Sequence, residues 1–130
     1  MLAYSIHGTC RITCENNIVK INAEGPWNTE YFDYLHQELI KCSDQINLDN
    51  YGAILNLAGE AIVVNGAFEK HLKFLKQLTI KAIAINLSDC ITVNITKKML
   101  DHGYGRAKIK HEFFYTEKDA THWLNKVLNQ

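Results

Sequence analysis

The chain has 130 residues, 47% of them hydrophobic, with 14 Lys plus Arg balanced by 14 Asp plus Glu. That length suits a single domain over 1–130, able to bury roughly two thirds of the surface its unfolded chain exposes, so no disulfide or metal staple is required. Zero net charge removes any global field that would pull the protein onto nucleic acid or an anionic membrane, and no apolar run approaches the ~20 residues of a membrane span.

The segment from Met1 to Cys10 has neither the basic start nor the apolar core of a signal peptide, which points to the cytoplasm. Strand-like stretches follow one another at Ala3 to His7, Cys10 to Cys14 and Ile18 to Ala23, with Glu15, Asn16 and Asn17 supplying turn chemistry between the last two. They form an antiparallel N-terminal ribbon. The four cysteines, Cys10, Cys14, Cys42 and Cys90, show no CxxC pair and no zinc-ligand spacing, and read as reduced thiols in strand and helix segments.

The pattern changes at Pro26, the single proline. Asn28 can cap a helix reaching Cys42, with Phe32, Leu35, Leu39 and Cys42 on one stripe. Tyr51 to Leu57 reads as a buried strand. A second helix spans Gly66 to Leu78, where Phe68, Leu72, Leu75 and Leu78 face inward and Lys70, Lys73 and Lys76 face water. Ile80 to Leu87 is nearly continuous apolar sequence. Two such strands separated by one amphipathic helix are what a parallel βαβ unit requires. A third helix lies within Ile91 to His102 and stops at Gly103, with Gly103 and Gly105 forming a loop around Tyr104. His111 to Tyr115 is the last strand, and Thr116 with Asp119 opens a final helix whose apolar stripe is Ala120, Trp123, Leu124, Val127 and Leu128. The fold class is therefore α/β: a mixed sheet with parallel central strands and an antiparallel N-terminal ribbon, flanked by about four helices.

Over nearly the whole length this order resembles the STAS-like family, and especially its stand-alone SpoIIAA-like branch. The residues that carry the resemblance are Gly25-Pro26-Trp27-Asn28 at the start of the first helix and Phe114, Glu117-Lys118-Asp119-Ala120 and Trp123-Leu124 at the end. The resemblance implies a non-enzymatic module that binds protein partners or small ligands. In the anti-anti-sigma branch a serine opening the second helix is phosphorylated by a partner kinase, and the added charge breaks an interface. Here the stretch from Asn56 to Ala67 contains no serine, threonine or tyrosine, so that switch has no acceptor at its usual place.

Candidate binding positions follow from the architecture. Ala58, Gly59, Glu60, Asn65 and Gly66 lie where a central strand gives way to a helix, a place where backbone N–H groups can meet an anion, although Asn65 also serves simply as a helix cap. Ser88 and Asp89 follow the other central strand and would lie beside them, suited first to capping the third helix and second to ligand contact. Trp27, Tyr31 and Tyr34 gather at the start of the first helix, either as an interface or as a shield over the core edge. No nucleophile, base and orienting group can be assembled from spacing: Ser88 lacks the GxSxG turn, and the six histidines show no HExxH or related pattern. No catalytic residue, metal site or cofactor is predicted. The leading expectation is a cytoplasmic regulatory or adaptor module for a protein partner, with homodimer formation compatible. The alternative is a carrier or sensor of a small apolar or amphipathic ligand held between helices and sheet, motivated by the large apolar side chains of the second and third helices.

Overall fold

The computed structural model describes residues 8–63 and 66–130. Its elements run β1 (Thr9–Glu15), β2 (Ile18–Glu24), α1 (Thr29–Cys42), β3 (Gly52–Gly59), α2 (Ala67–Lys76), β4 (Ile83–Cys90), α3 (Val93–Arg106), β5 (His111–Phe114) and α4 (Glu117–Leu128). The strands lie side by side in chain order, β1 antiparallel to β2 and the remaining neighbours parallel. The mixed sheet with four flanking helices is the one expected. The strand expected at Ala3 to His7, and Asn65, fall outside the described residues.

Local chemistry explains the joints. Asn16 and Asn17 take φ values of 51° and 68°, the left-handed pair that a two-residue hairpin needs and that asparagine tolerates better than most side chains. Asn28 Oδ1 accepts the Tyr31 backbone N–H at 3.0 Å at the start of α1, and Thr116 Oγ1 accepts that of Asp119 at 3.1 Å at the start of α4.

Alternation along the strands divides the core in two. Val19, Ile21, Ala53, Leu57, Ile83, Ile85 and Leu87 face α1, α2 and α3. On the opposite face Ile54, Ala82 and Ala84 meet Ala120, Leu124, Val127 and Leu128 of α4 alone. The small side chains there let a single helix approach closely.

Three expectations are corrected. First, β4 begins at Ile83 rather than Ile80 and continues to Cys90, because Asp89 and Cys90 pair with Ala58 and Gly59 of β3. Ser88 and Asp89 are thus strand residues, and Thr92 holds the N-cap position of α3. Second, α3 does not stop at Gly103 but runs through Gly105 to Arg106. A Cβ on Gly103 would run into the Phe68 ring, so this glycine permits α2 and α3 to pack closely, and Tyr104 beside it is core. Third, Cys14 and Cys42 are joined in a disulfide that ties β1 to the end of α1, leaving Cys10 and Cys90 as thiols. Cys14 lies on the helix-bearing face of β1. The two Cα atoms are 6.4 Å apart, within bridging reach.

Candidate functional site

The parallel strands β2, β3 and β4 end together, and on the α4 face each contributes an asparagine at the same level: Asn22 pairs with Asn56, and Asn56 with Asn86. The amides form a row. Asn86 Nδ2 donates to Asn56 Oδ1 at 2.9 Å, Asn56 Nδ2 donates to Asn22 Oδ1 at 2.8 Å and to Glu117 Oε1 at 2.6 Å, and Asn86 Oδ1 accepts the Ser88 N–H at 3.1 Å. Lys20 Nζ completes the arrangement on Glu117 Oε2 at 3.2 Å. Above the row opens a cleft of about 710 Å³, walled by Glu24, Ala58, Ser88, Asp89, Tyr115 and Thr116.

The structure therefore brings Ala58, Ser88 and Asp89 into one cleft and separates them from the other strand-end positions. Gly59, at φ 65°, turns the chain away, and its carbonyl accepts the N–H groups of Ala61 and Ile91 at 3.1 and 2.8 Å. Glu60 is exposed beside it, while Gly66 is exposed at the start of α2. Glu24, Asp89 and Glu117 line the cleft, while Lys20 is held on Glu117 at 3.2 Å and Lys97 Nζ donates to the hydroxyl of the Tyr115 wall at 3.3 Å. The asparagine row went unread, although each strand carries its signal as an asparagine interrupting apolar sequence: Ile21-Asn22-Ala23, Leu55-Asn56-Leu57 and Ile85-Asn86-Leu87.

On the other face the aromatic group at α1 is mostly internal. Trp27 and Tyr31 are 4% and 2% exposed, leaving Tyr34, at 39%, as the surface ring of the three. The reason is geometric. Trp27 bridges to Val63 and stacks on Tyr31 with centroids 5.6 Å apart, which draws both rings between α1 and the sheet. They border an apolar space of about 70 Å³ enclosed by α1, α2, α3 and β2 to β4, to which Phe32, Phe68, Leu100 and Tyr104 also contribute. Burial pushes the ionisation of the Tyr31 and Tyr104 hydroxyls far up, keeping both neutral. Trp27 Nε1 is buried with no hydrogen-bond partner among the described residues.

Two of the histidines, which share no motif spacing in the sequence, meet at the α1–α2 seam. His36 Nε2 and His71 Nδ1 are 2.8 Å apart, one donating and the other accepting, with both rings buried. His36 stacks on Phe74 at 3.9 Å between centroids, and His71 stacks on Phe32 at 4.7 Å. Burial lowers the pKa of each, helped at His71 by the His36 ring. The available signal was their place among inward positions, four residues after Phe32 and three after Phe68. Elsewhere His111 bonds Asp101 at 2.7 Å and the Ile109 carbonyl at 2.8 Å. Among the described residues no three His, Cys, Asp or Glu side chains are grouped to hold a metal.

A five-stranded mixed sheet with three crossover helices on one face and a terminal helix on the other is the SpoIIAA-like fold. Over 95% of its length the chain is similar, with a TM-score of 0.65 and 18% identity, to an uncharacterised protein of the DUF3478 family with a SpoIIAA-like fold from Shewanella loihica PV-4, 98% of which is matched. No family model matches the sequence, and no curated protein matches it. No helix among the described residues is long and apolar enough to cross a membrane.

Proposed function

We propose that this chain is a non-catalytic binding module whose three-helix face accepts a small amphipathic ligand between helices and sheet. The observation that carries this reading is Trp27, which lines an otherwise apolar space and whose buried Nε1–H has no acceptor among the described residues. An orphaned buried donor costs on the order of 1–3 kcal/mol, and a ligand with one oxygen acceptor and an apolar body would satisfy it. The 70 Å³ space is smaller than the ~300 Å³ of an ordinary ligand site, so occupancy requires α2 to move outward from the sheet.

The test is native mass spectrometry of gently purified protein, with Trp27→Phe as the comparison, since phenylalanine keeps the ring and removes the donor. A mass excess that denaturation releases, and that Trp27→Phe loses, supports the reading. A native protein that stays bare after incubation with fatty acids, fatty alcohols and aromatic acids sinks it.

A second reading, the protein-partner adaptor, is favoured by one observation: Ile91, in the bend between β4 and α3 where its N–H bonds the Gly59 carbonyl, and Ile95, in the first turn of α3, are 77% and 63% exposed. It works without a phosphorylated serine at α2. Ile91→Asp and Ile95→Asp together should abolish partner recovery while leaving melting within a few degrees; retained recovery removes that surface.

A further inference from the structure

We infer that the strand-end cleft on the α4 face is a separate binding site for a small organic cation bearing a primary amine or guanidinium group. Its volume of about 710 Å³ falls within the ~300–1,000 Å³ typical of sites that hold small molecules. Carboxylates on their own would be an ordinary solvated rim. What distinguishes this place is a concave shape over a floor of amides, the deepest of which, Asn86, is only 6% exposed.

Burying an amide on a sheet face is costly unless its hydrogen bonds are met, and this row meets them incompletely. Asn86 spends one Nδ2 hydrogen on Asn56, and its second has no partner among the described residues; Asn22 accepts through Oδ1 while its Nδ2 donates to nothing described. The floor thus offers spare donors to a ligand's hydroxyl or carbonyl oxygen. The walls set the charge. Lys20 is committed to Glu117, whereas Glu24 and Asp89 have no ion-pair partner among the described residues. Phosphate, sulfate and carboxylate ligands are repelled, and an ammonium or guanidinium is attracted. Tyr115, 53% exposed, adds an aromatic wall whose hydroxyl accepts from Lys97 Nζ at 3.3 Å, so the walls' free negative charge is that of Glu24 and Asp89.

The site lies on the opposite face of the sheet from Trp27, so this inference and the amphipathic-ligand reading stand or fall separately. The test is a ¹H–¹⁵N NMR titration with arginine amide and with spermidine, against glucose and inorganic phosphate. Saturable shifts confined to residues 22–24, 56–58, 86–89 and 115–117 are expected for the two amines alone. Because both carboxylates are exposed, Glu24→Gln with Asp89→Asn should leave the fold intact and weaken binding by about 10-fold or more, the loss of two surface ion pairs. Asp89→Lys should weaken it further. No saturable response to either amine at millimolar concentration, equal affinity in the double variant, or a preference for glucose or phosphate would each overturn the assignment.

Discussion

Acid should loosen the seam between α1 and α2, and the size of the effect can be worked from the buried histidines. In the unfolded chain each imidazole titrates near ~6.5. In the fold both pKa values are lowered, primarily by desolvation, with His36 at about 4. Asp33 pulls His36 upward and Lys70 pushes it down, and these two are themselves paired at 3.0 Å beside the seam, so burial decides. The unfolded state consequently binds more protons than the folded state below pH ~6.5, and stability falls as pH drops through that value. At pH 5 each histidine removes about 2 kcal/mol, since a full pKa unit is worth about 1.4 kcal/mol; the pair removes about 4 kcal/mol relative to pH 8. Urea unfolding followed by tryptophan fluorescence at pH 8, 7, 6 and 5 measures the slope. His36→Phe with His71→Phe keeps rings stacked on Phe74 and Phe32 and should flatten the curve by that amount. An unchanged slope in the double variant would refute the reasoning, because the protons would then be binding elsewhere.

Thiol alkylation in denaturant should add two labels per chain without reductant, at Cys10 and Cys90, and four after reduction; four labels in both conditions would show Cys14 and Cys42 unlinked. Opening that 28-residue loop should lower stability by about 3–4 kcal/mol in urea titrations. Replacing Gly103 with alanine forces a methyl group into Phe68 and should cost about 1–3 kcal/mol, read as a fall in Tm, with Phe68→Leu restoring part of the loss if the contact is the cause.

The elements whose boundaries depend on their own residues were legible in the sequence. Asn28 and Thr116 announced their helices because a cap is settled within four residues, and the stripes of α1, α2 and α4 showed at their own period. Gly103 misled for the opposite reason. A glycine at a helix end and a glycine where two helices touch look alike locally, and only Phe68, distant in sequence, tells them apart. Ser88 and Asp89 looked like cap residues because β4 leaves the apolar layers before it stops pairing. The amide row, the His36–His71 contact and the Cys14–Cys42 bond each join residues at least 28 positions apart, so strand register and helix docking create them. Of the strand-end positions, the turn chemistry was visible, but the acidic character of the cleft depended on Glu24 and Glu117 arriving from other elements.

The order of the strands has a consequence for the surface. Because β2 to β5 advance steadily in one direction, right-handed crossovers must place all three intervening helices on the same side. The reverse side is left with whatever follows the last strand, here one helix of 12 residues, about 18 Å long and 10 Å wide. Five strands about 4.8 Å apart make a wider floor than that. Part of this sheet must therefore face water, and Lys20, Asn22, Glu24 and Asn56 are the residues that make such exposure tolerable. In this connectivity a polar hollow is the architectural remainder of uneven roofing, available for recognition without any loop being added.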